Sequence, residues 1–158
     1  MAQFGRYFEE FRVGDVYKHW PGRTITESDD VLFCMLTMNH HPLHIDANYA
    51  KDSDYGRQVV VGNLVVDIAM GQSVPDVSGR ALANLGFDRI EFLAPTFHGD
   101  TIYSESEVLE VKESSSRPDR GIVKVETRAL NQRGETVMKF RRAVMIAKRP
   151  ADEPGPPK

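Results

Sequence analysis

The sequence predicts an α+β fold in which a long antiparallel sheet curves around one apolar helix. Three observations point there. The second half of the 158-residue chain holds four runs, 82–93, 101–111, 121–130 and 136–147, that are rich in β-branched residues and alternate in stretches between apolar and polar. The run 62–73 carries Leu64, Val65, Val66, Ile68, Ala69 and Met70 around most of a helical wheel, the pattern of a buried helix. Ahead of it, the turn Asn39-His40-His41-Pro42-Leu43-His44-Ile45-Asp46 gathers three histidines, an amide and a carboxylate.

Taken in order, the elements begin with an aromatic cluster, Phe4, Tyr7, Phe8 and Phe11, before a turn at Val13-Gly14-Asp15. A first strand is expected over 16–20, broken by Pro21-Gly22 before a short partner at 23–26. Thr26-Glu27-Ser28-Asp29 offers an N-cap with an acid three residues on. The helix after it, 30–38, is apolar nearly all round (Val31, Leu32, Phe33, Met35, Leu36) and is expected to be buried. Asp46 caps a short helix over 46–51. Val59-Val60-Val61 stops at Gly62, where the helix 62–73 starts; Pro75 ends it, and Asp67 is its one charge. Asn131-Gln132-Arg133-Gly134 reads as a tight hairpin, 114–120 as a longer polar one, and His98-Gly99-Asp100 as a turn. A curved antiparallel sheet with one long helix to cover it is the hotdog fold. One helix buries little of such a sheet, so a homodimer is the expected minimum, with higher homo-oligomers left open. Residues 1–149 form this single domain. The Pro-rich tail 150–158 has nothing to bury and is expected to be disordered.

With 41% hydrophobic and 27% charged residues, the chain has the composition of an ordinary soluble domain. A net charge of −3 excludes the basic footprint of a nucleic-acid binder. No apolar run is long enough for a membrane span, and the opening residues lack the apolar core of a signal peptide. The lone Cys34 forms no internal disulfide and suits a reducing cytoplasm; within its apolar segment it reads as a small core side chain rather than a nucleophile.

The chemistry lies in the polar turn and in the helix start that follows. Histidine transfers protons near neutral pH, and the first N–H groups of a helix are free to receive a developing oxyanion. Thr37-Met38-Asn39-His40-His41-Pro42-Leu43-His44, then Asp46 and Ala50, then Val61-Gly62-Asn63-Leu64, resemble the hydratase signature of the MaoC-like, (R)-specific enoyl-CoA hydratase family. The resemblance runs from about Phe8 to Arg149 and includes Phe97-His98-Gly99-Asp100-Thr101. It implies an acyl-CoA hydratase or dehydratase in which an acid and a His five positions later hold a water, while a helix N-terminal N–H receives the thioester oxygen. These positions fall on Asn39, His44 and Gly62.

The chain departs from that pattern where Asn39 replaces the acid, Val61 replaces a common His, and His41 replaces Asn. Asn cannot exchange a proton at ordinary pH; it can only orient a water. Three readings stand open. His44 titrates alone with Asn39 positioning the water; His40, His41 or Asp46 supplies the missing acid; or the protein binds acyl thioesters without turning them over, as a partner subunit. Asn at this position resembles the branch acting on mesaconyl- or itaconyl-CoA, whose second carboxylate calls for a cation. His40, His41 and Arg57 are the candidates, and Asn63 joins them as a substrate-binding residue. A hotdog thioesterase using Asp67 is the other enzymatic reading. Coenzyme A enters as part of the substrate. Neither a metal nor a redox cofactor is implied, since adjacent loop histidines such as His40 and His41 diverge.

Overall fold

The computed structural model describes residues 4–151. Strand β1 (Val16–Thr24) is followed by helices α1 (Glu27–Thr37), α2 (Pro42–Ile45), α3 (Ala47–Ala50) and α4 (Gly62–Gln72). Strands β2 (Ala81–Phe92), β3 (Thr101–Glu113), β4 (Arg120–Leu130) and β5 (Thr136–Ala147) complete the chain. Among the described residues they form one five-stranded antiparallel sheet in the order β1-β3-β4-β5-β2. The three central strands follow one another through hairpins, so the sheet grows mostly from near neighbours in the chain. In β4 the inward row is Gly121, Val123, Val125, Thr127 and Ala129, the period-two pattern visible in the sequence. Gly134 closes the β4–β5 hairpin at φ 77°, a conformation that favours glycine.

The hydrophobic effect sorts the sheet's inner face into two halves. Helix α4 covers one, packing Val65, Val66 and Ala69 against Ile102, Val137 and Phe140. The opening aromatics cover the other: Phe8 and Phe11 pack on Val108, Val123, Val144 and Ile146. Between them β1 contributes His19, whose Nδ1 meets the Asp76 carboxylate at 2.8 Å and whose Nε2 meets the Ser106 hydroxyl at 2.8 Å. Asp76 lies in the π-helical turn Val74–Ser78 just beyond α4 and also pairs with Arg6 at 2.9 Å. The sheet, the end of α4 and the N-terminal segment are thus tied at one buried polar point.

Three expectations change. In place of two strands over 16–20 and 23–26 there is one, Val16–Thr24: β1 runs through the cis Trp20–Pro21 bond with a register shift between His19 and Arg23. As an edge strand it tolerates a residue that cannot donate to the ladder, and Gly22 leaves room for the Tyr103 ring, which a Cβ there would approach to 2.5 Å. Helix α1 starts at Glu27, earlier than expected, on a full capping box between Thr26 and Asp29. It is also not buried all round. Its inward face carries Asp30 and Cys34, while Leu32 is 60% and Leu36 76% exposed, because only one side of α1 meets the domain. Asp67 is exposed on α4. No helix of the described residues is long and apolar enough to cross a membrane. The tail beyond residue 151 lies outside the described residues.

Burial holds the His19 imidazole below its ordinary pKa, with Arg142 and Arg6 adding to the effect and Asp76 opposing it. Burial alone would raise the Asp76 carboxyl, but His19 and Arg6 hold it below the usual range. A His with a depressed native pKa binds its proton more readily when unfolded, so stability falls as pH drops below about 6.5. Thermal unfolding is expected to shift to lower temperature between pH 7 and pH 5, and His19→Gln should flatten that decline; an unchanged slope in the variant would remove His19 as its source.

Candidate active site

The site is assembled around the carboxylate of Asp30. The side chain is fully buried on α1, accepts a 2.9 Å hydrogen bond from the Val61 N–H, and accepts a second, at 3.0 Å, from His98 Nε2. One carboxylate therefore joins α1, the residue capping α4, and the turn between β2 and β3. From the sequence the region 30–38 reads as a plain apolar helix and His98 as a turn residue. In the sequence Asp30 stands in phase with Cys34, four residues on, rather than with the polar flank of the helix.

That anchor fixes the direction in which the chain enters α4. Val60 N–H donates to the Thr96 carbonyl at 2.9 Å, Val59 N–H to the Leu43 carbonyl at 3.3 Å, and Gln58 Nε2 to the His44 carbonyl at 3.0 Å. The segment 58–60 is thus an extended strap between the histidine turn on one side and residues 94–96 on the other. Gly62 then opens α4, where its N–H has no acceptor within the helix. The Phe92 ring sits against it so closely that a Cβ on residue 62 would come within 2.6 Å. Glycine keeps this helix start open to a ligand and packed at the same time.

A cleft of about 410 Å³ lies at this point. His44, Gly62 and Asn63 line it together with Tyr55, Val65, Phe92, Thr96 and Met138. The His44 Nδ1 is 2.6 Å from the Val59 carbonyl oxygen. A carbonyl can only accept, so Nδ1 carries the proton and Nε2 of the neutral ring holds a free lone pair. The strap that leads to Gly62 is the same one that sets the tautomer of His44.

The other residues expected at the site stand outside this cleft. Asn39 follows the left-handed Met38 (φ 59°) that ends α1, and its Oδ1 accepts the His41 N–H at 3.3 Å. His41 caps α2: its Nδ1 accepts the Leu43 N–H at 3.2 Å, and its ring centroid lies 5.8 Å from that of His44. His40 is exposed. Arg57 stacks on the Phe97 ring at 3.7 Å. Asp46 caps α3 through bonds to the Asn48 and Tyr49 N–H groups at 2.9 and 3.0 Å. Cys34 is buried, which pushes its thiol pKa up and keeps it protonated. Tyr55 and Phe92 are cleft residues that nothing in the sequence pattern marks, since they arrive from a loop and an edge strand.

The fold is that of the hotdog proteins. A Mycobacterium tuberculosis protein with a double hotdog fold superposes with a TM-score of 0.85 at 25% identity, over 96% of this chain and 47% of that one. A MaoC domain protein from Chloroflexus aurantiacus superposes with a TM-score of 0.90 at 33% identity, over 99% of this chain and 44% of that one. The chain belongs to the mesaconyl-CoA hydratase family, whose profile matches residues 2–155. It is 36% identical over 152 residues to the mesaconyl-CoA hydratase of Cereibacter sphaeroides, a match covering 96% of this chain and 44% of that enzyme. The chain therefore spans less than half the length of the curated relatives it first matches.

The Asp30 contacts predict a large structural effect from one substitution. Asp30→Ala leaves the Val61 N–H and His98 without their buried acceptor and should destabilise the protein by about 3 kcal/mol. Asp30→Asn keeps one acceptor and should cost less. Urea unfolding of both variants checks the order; equal stability of Asp30→Ala and wild type would show that the carboxylate does not hold the helix start.

Proposed function

We propose that this protein is an acyl-CoA hydro-lyase that adds water to a 2-enoyl-CoA, or removes it from the 3-hydroxyacyl-CoA, on a methyl-branched, dicarboxylic acyl group. The observation that carries this reading is the 2.6 Å contact of His44 Nδ1 with the Val59 carbonyl, which leaves Nε2 as a base in the same cleft as the Gly62 N–H. Family membership supports the reaction type.

The steps follow from those two groups. The thioester oxygen sits at the start of α4 and accepts the Gly62 N–H, where the helix dipole also favours negative charge. His44 Nε2 takes a proton from water as the oxygen adds to C3, and the π electrons move through C2 onto the thioester oxygen. The enolate collapses by taking a proton at C2. Among the described residues lining the cleft, His44 supplies the one imidazole, so the proton it removed from water is the one it returns. Asn39, whose Oδ1 accepts the His41 N–H, stands outside this cleft and takes no part in the step. Coenzyme A is the handle of the substrate, and no other cofactor takes part.

The protein acts as a homodimer in the cytoplasm. Strand β2 ends the sheet with Leu82, Leu85, Phe87, Ile90 and Phe92 exposed, a long apolar edge that a second copy would cover. Sedimentation at micromolar concentration should give a dimer; a stable monomer would overturn this part of the reading.

Incubation with crotonyl-CoA and mesaconyl-CoA tests the activity. Loss of enoyl absorbance without thiol release supports the hydratase. Released thiol would make the protein a thioesterase, and binding with neither change would make it a non-catalytic acyl-CoA-binding subunit. His44→Ala should lower turnover by about 10²–10⁴ while leaving the unfolding temperature near that of the wild type. Retained activity would take His44 out of the mechanism.

A further inference from the structure

A base that takes a proton from water becomes a cation, and a cation formed among mostly apolar side chains calls for a counter-charge. The His44 cleft holds none. Among the described residues that line it the polar side chains are His44, Tyr55, Asn63 and Thr96, and no Asp, Glu, Lys or Arg stands with them. The acids of the flanking segments are committed elsewhere or exposed: Asp30 is held by the Val61 N–H and His98, Asp46 caps α3, and Asp52 and Asp54 face solvent. The start of α4, positive by its dipole, favours the enolate but not an imidazolium. The cations suggested by sequence are likewise engaged or stand apart. Arg57 lies on Phe97, His41 caps α2, and His40 is exposed outside the cleft.

We propose that the substrate brings the missing charge: the distal carboxylate of a dicarboxylic 2-enoyl thioester holds the attacking water and stabilises the His44 imidazolium as it forms. This rests on the hydratase reading above and states why a diacid suits this site. In such a thioester the carboxylate carbon is bonded to C3, so its oxygens lie about 2.4 Å from the carbon that receives water. A water poised about 3–3.5 Å from C3 is then within hydrogen-bond reach of a carboxylate oxygen and can bridge it to the free Nε2 of His44. One water proton passes to Nε2 as the oxygen bonds to C3 and the π electrons move onto the thioester oxygen. The other O–H donates to the carboxylate and stays on the new hydroxyl. The carboxylate ends with the charge it began with. The imidazolium gives its proton to C2, which completes the addition of one water.

The interaction is strongest in the transition state. Beside a neutral imidazole the carboxylate has a weak partner; beside an imidazolium it faces a full opposite charge, with no side-chain cation among the described cleft residues to cancel it. Such a difference raises kcat rather than lowering KM. The same carboxylate opposes the negative charge gathering on the thioester oxygen. That oxygen lies beyond C2 and C1 and is met by the Gly62 N–H at the positive end of α4, so the repulsion is the weaker effect. The Tyr55 and Thr96 hydroxyls and the Asn63 amide line the same cleft and have no hydrogen-bond partner among the described residues. They are neutral donors, able to steady a carboxylate without cancelling its charge.

The test uses the wild-type chain and compares mesaconyl-CoA with two thioesters that lack the carboxylate. In 2-methylcrotonyl-CoA a methyl group takes its place, and kcat should be lower by about 10²-fold with KM changed far less. Acryloyl-CoA carries nothing on C3 and leaves the space of the carboxylate open to a small anion. Formate should raise its kcat saturably, by about tenfold or more, where an equal concentration of chloride does not. Mesaconyl-CoA already fills that space, and its turnover should gain nothing from formate. In His44→Ala the formate gain should disappear, because the anion acts through the imidazolium. Equal kcat on mesaconyl-CoA and 2-methylcrotonyl-CoA, or acryloyl-CoA turnover indifferent to formate, overturns the proposal and leaves the hydratase reading intact. A formate gain that persists in His44→Ala overturns it as well. If none of these thioesters is hydrated, with or without formate, it is the hydratase reading itself that fails.

Discussion

The Asp30 carboxylate is the constraint on which the rest of the site depends. It sits without solvent on α1 and is satisfied by two donors that come from distant parts of the chain, Val61 and His98. A buried carboxylate tolerates little displacement, because losing either donor exposes the full cost of its desolvation. Its position therefore fixes where α4 begins. The 58–60 strap, the tautomer of His44 and the opening of the cleft at Gly62 all follow from that start. The polar group furthest from the chemistry in appearance is the one that holds the chemistry in register.

A second polar cluster lies at the other end of α4, with a different balance. His19, Asp76, Arg6, Ser106 and Thr127 form a chain of hydrogen bonds in which each buried group has a partner. Arg142 stands next to it, bonded only to hydroxyls. The contrast is informative because both lie in the same interior and face the same dielectric cost. A fully paired network fastens the sheet to the turn after α4, whereas the Arg142 guanidinium keeps a buried Nε without a partner.

Much of the apolar surface that the sequence assigns to a core is exposed in a single chain. Leu82, Leu85, Phe87, Ile90 and Phe92 lie along the free edge of β2, and Leu32, Met35 and Leu36 along the outer side of α1. One eleven-residue helix covers only half of a five-stranded sheet, with the N-terminal aromatics filling the rest of the inner face. The edge remains. Apolar edges of this length invite pairing, and a two-fold partner is the arrangement that covers the edge without leaving a new one.

The sequence by itself determined the fold class and most of the element order. Period-two alternation placed β3, β4 and β5 nearly to the residue, the Gly134 turn marked the β4–β5 hairpin, and the apolar run after Gly62 marked α4, because each of these signals is local to a few neighbouring residues. It also marked His44, Gly62 and Asn63, which the structure brings into one cleft. Burial was less legible. An apolar helix looks buried in sequence whether or not anything lies against it, so α1 reads as core although only Asp30 and Cys34 are buried. Asp30, His98 and Arg142 gained their meaning from partners 31 to 69 positions away, and no spacing rule within a segment can reach that far. Only the tertiary structure decided which charges went inside, because the cost of a buried charge is set by the groups around it and not by its neighbours in the chain.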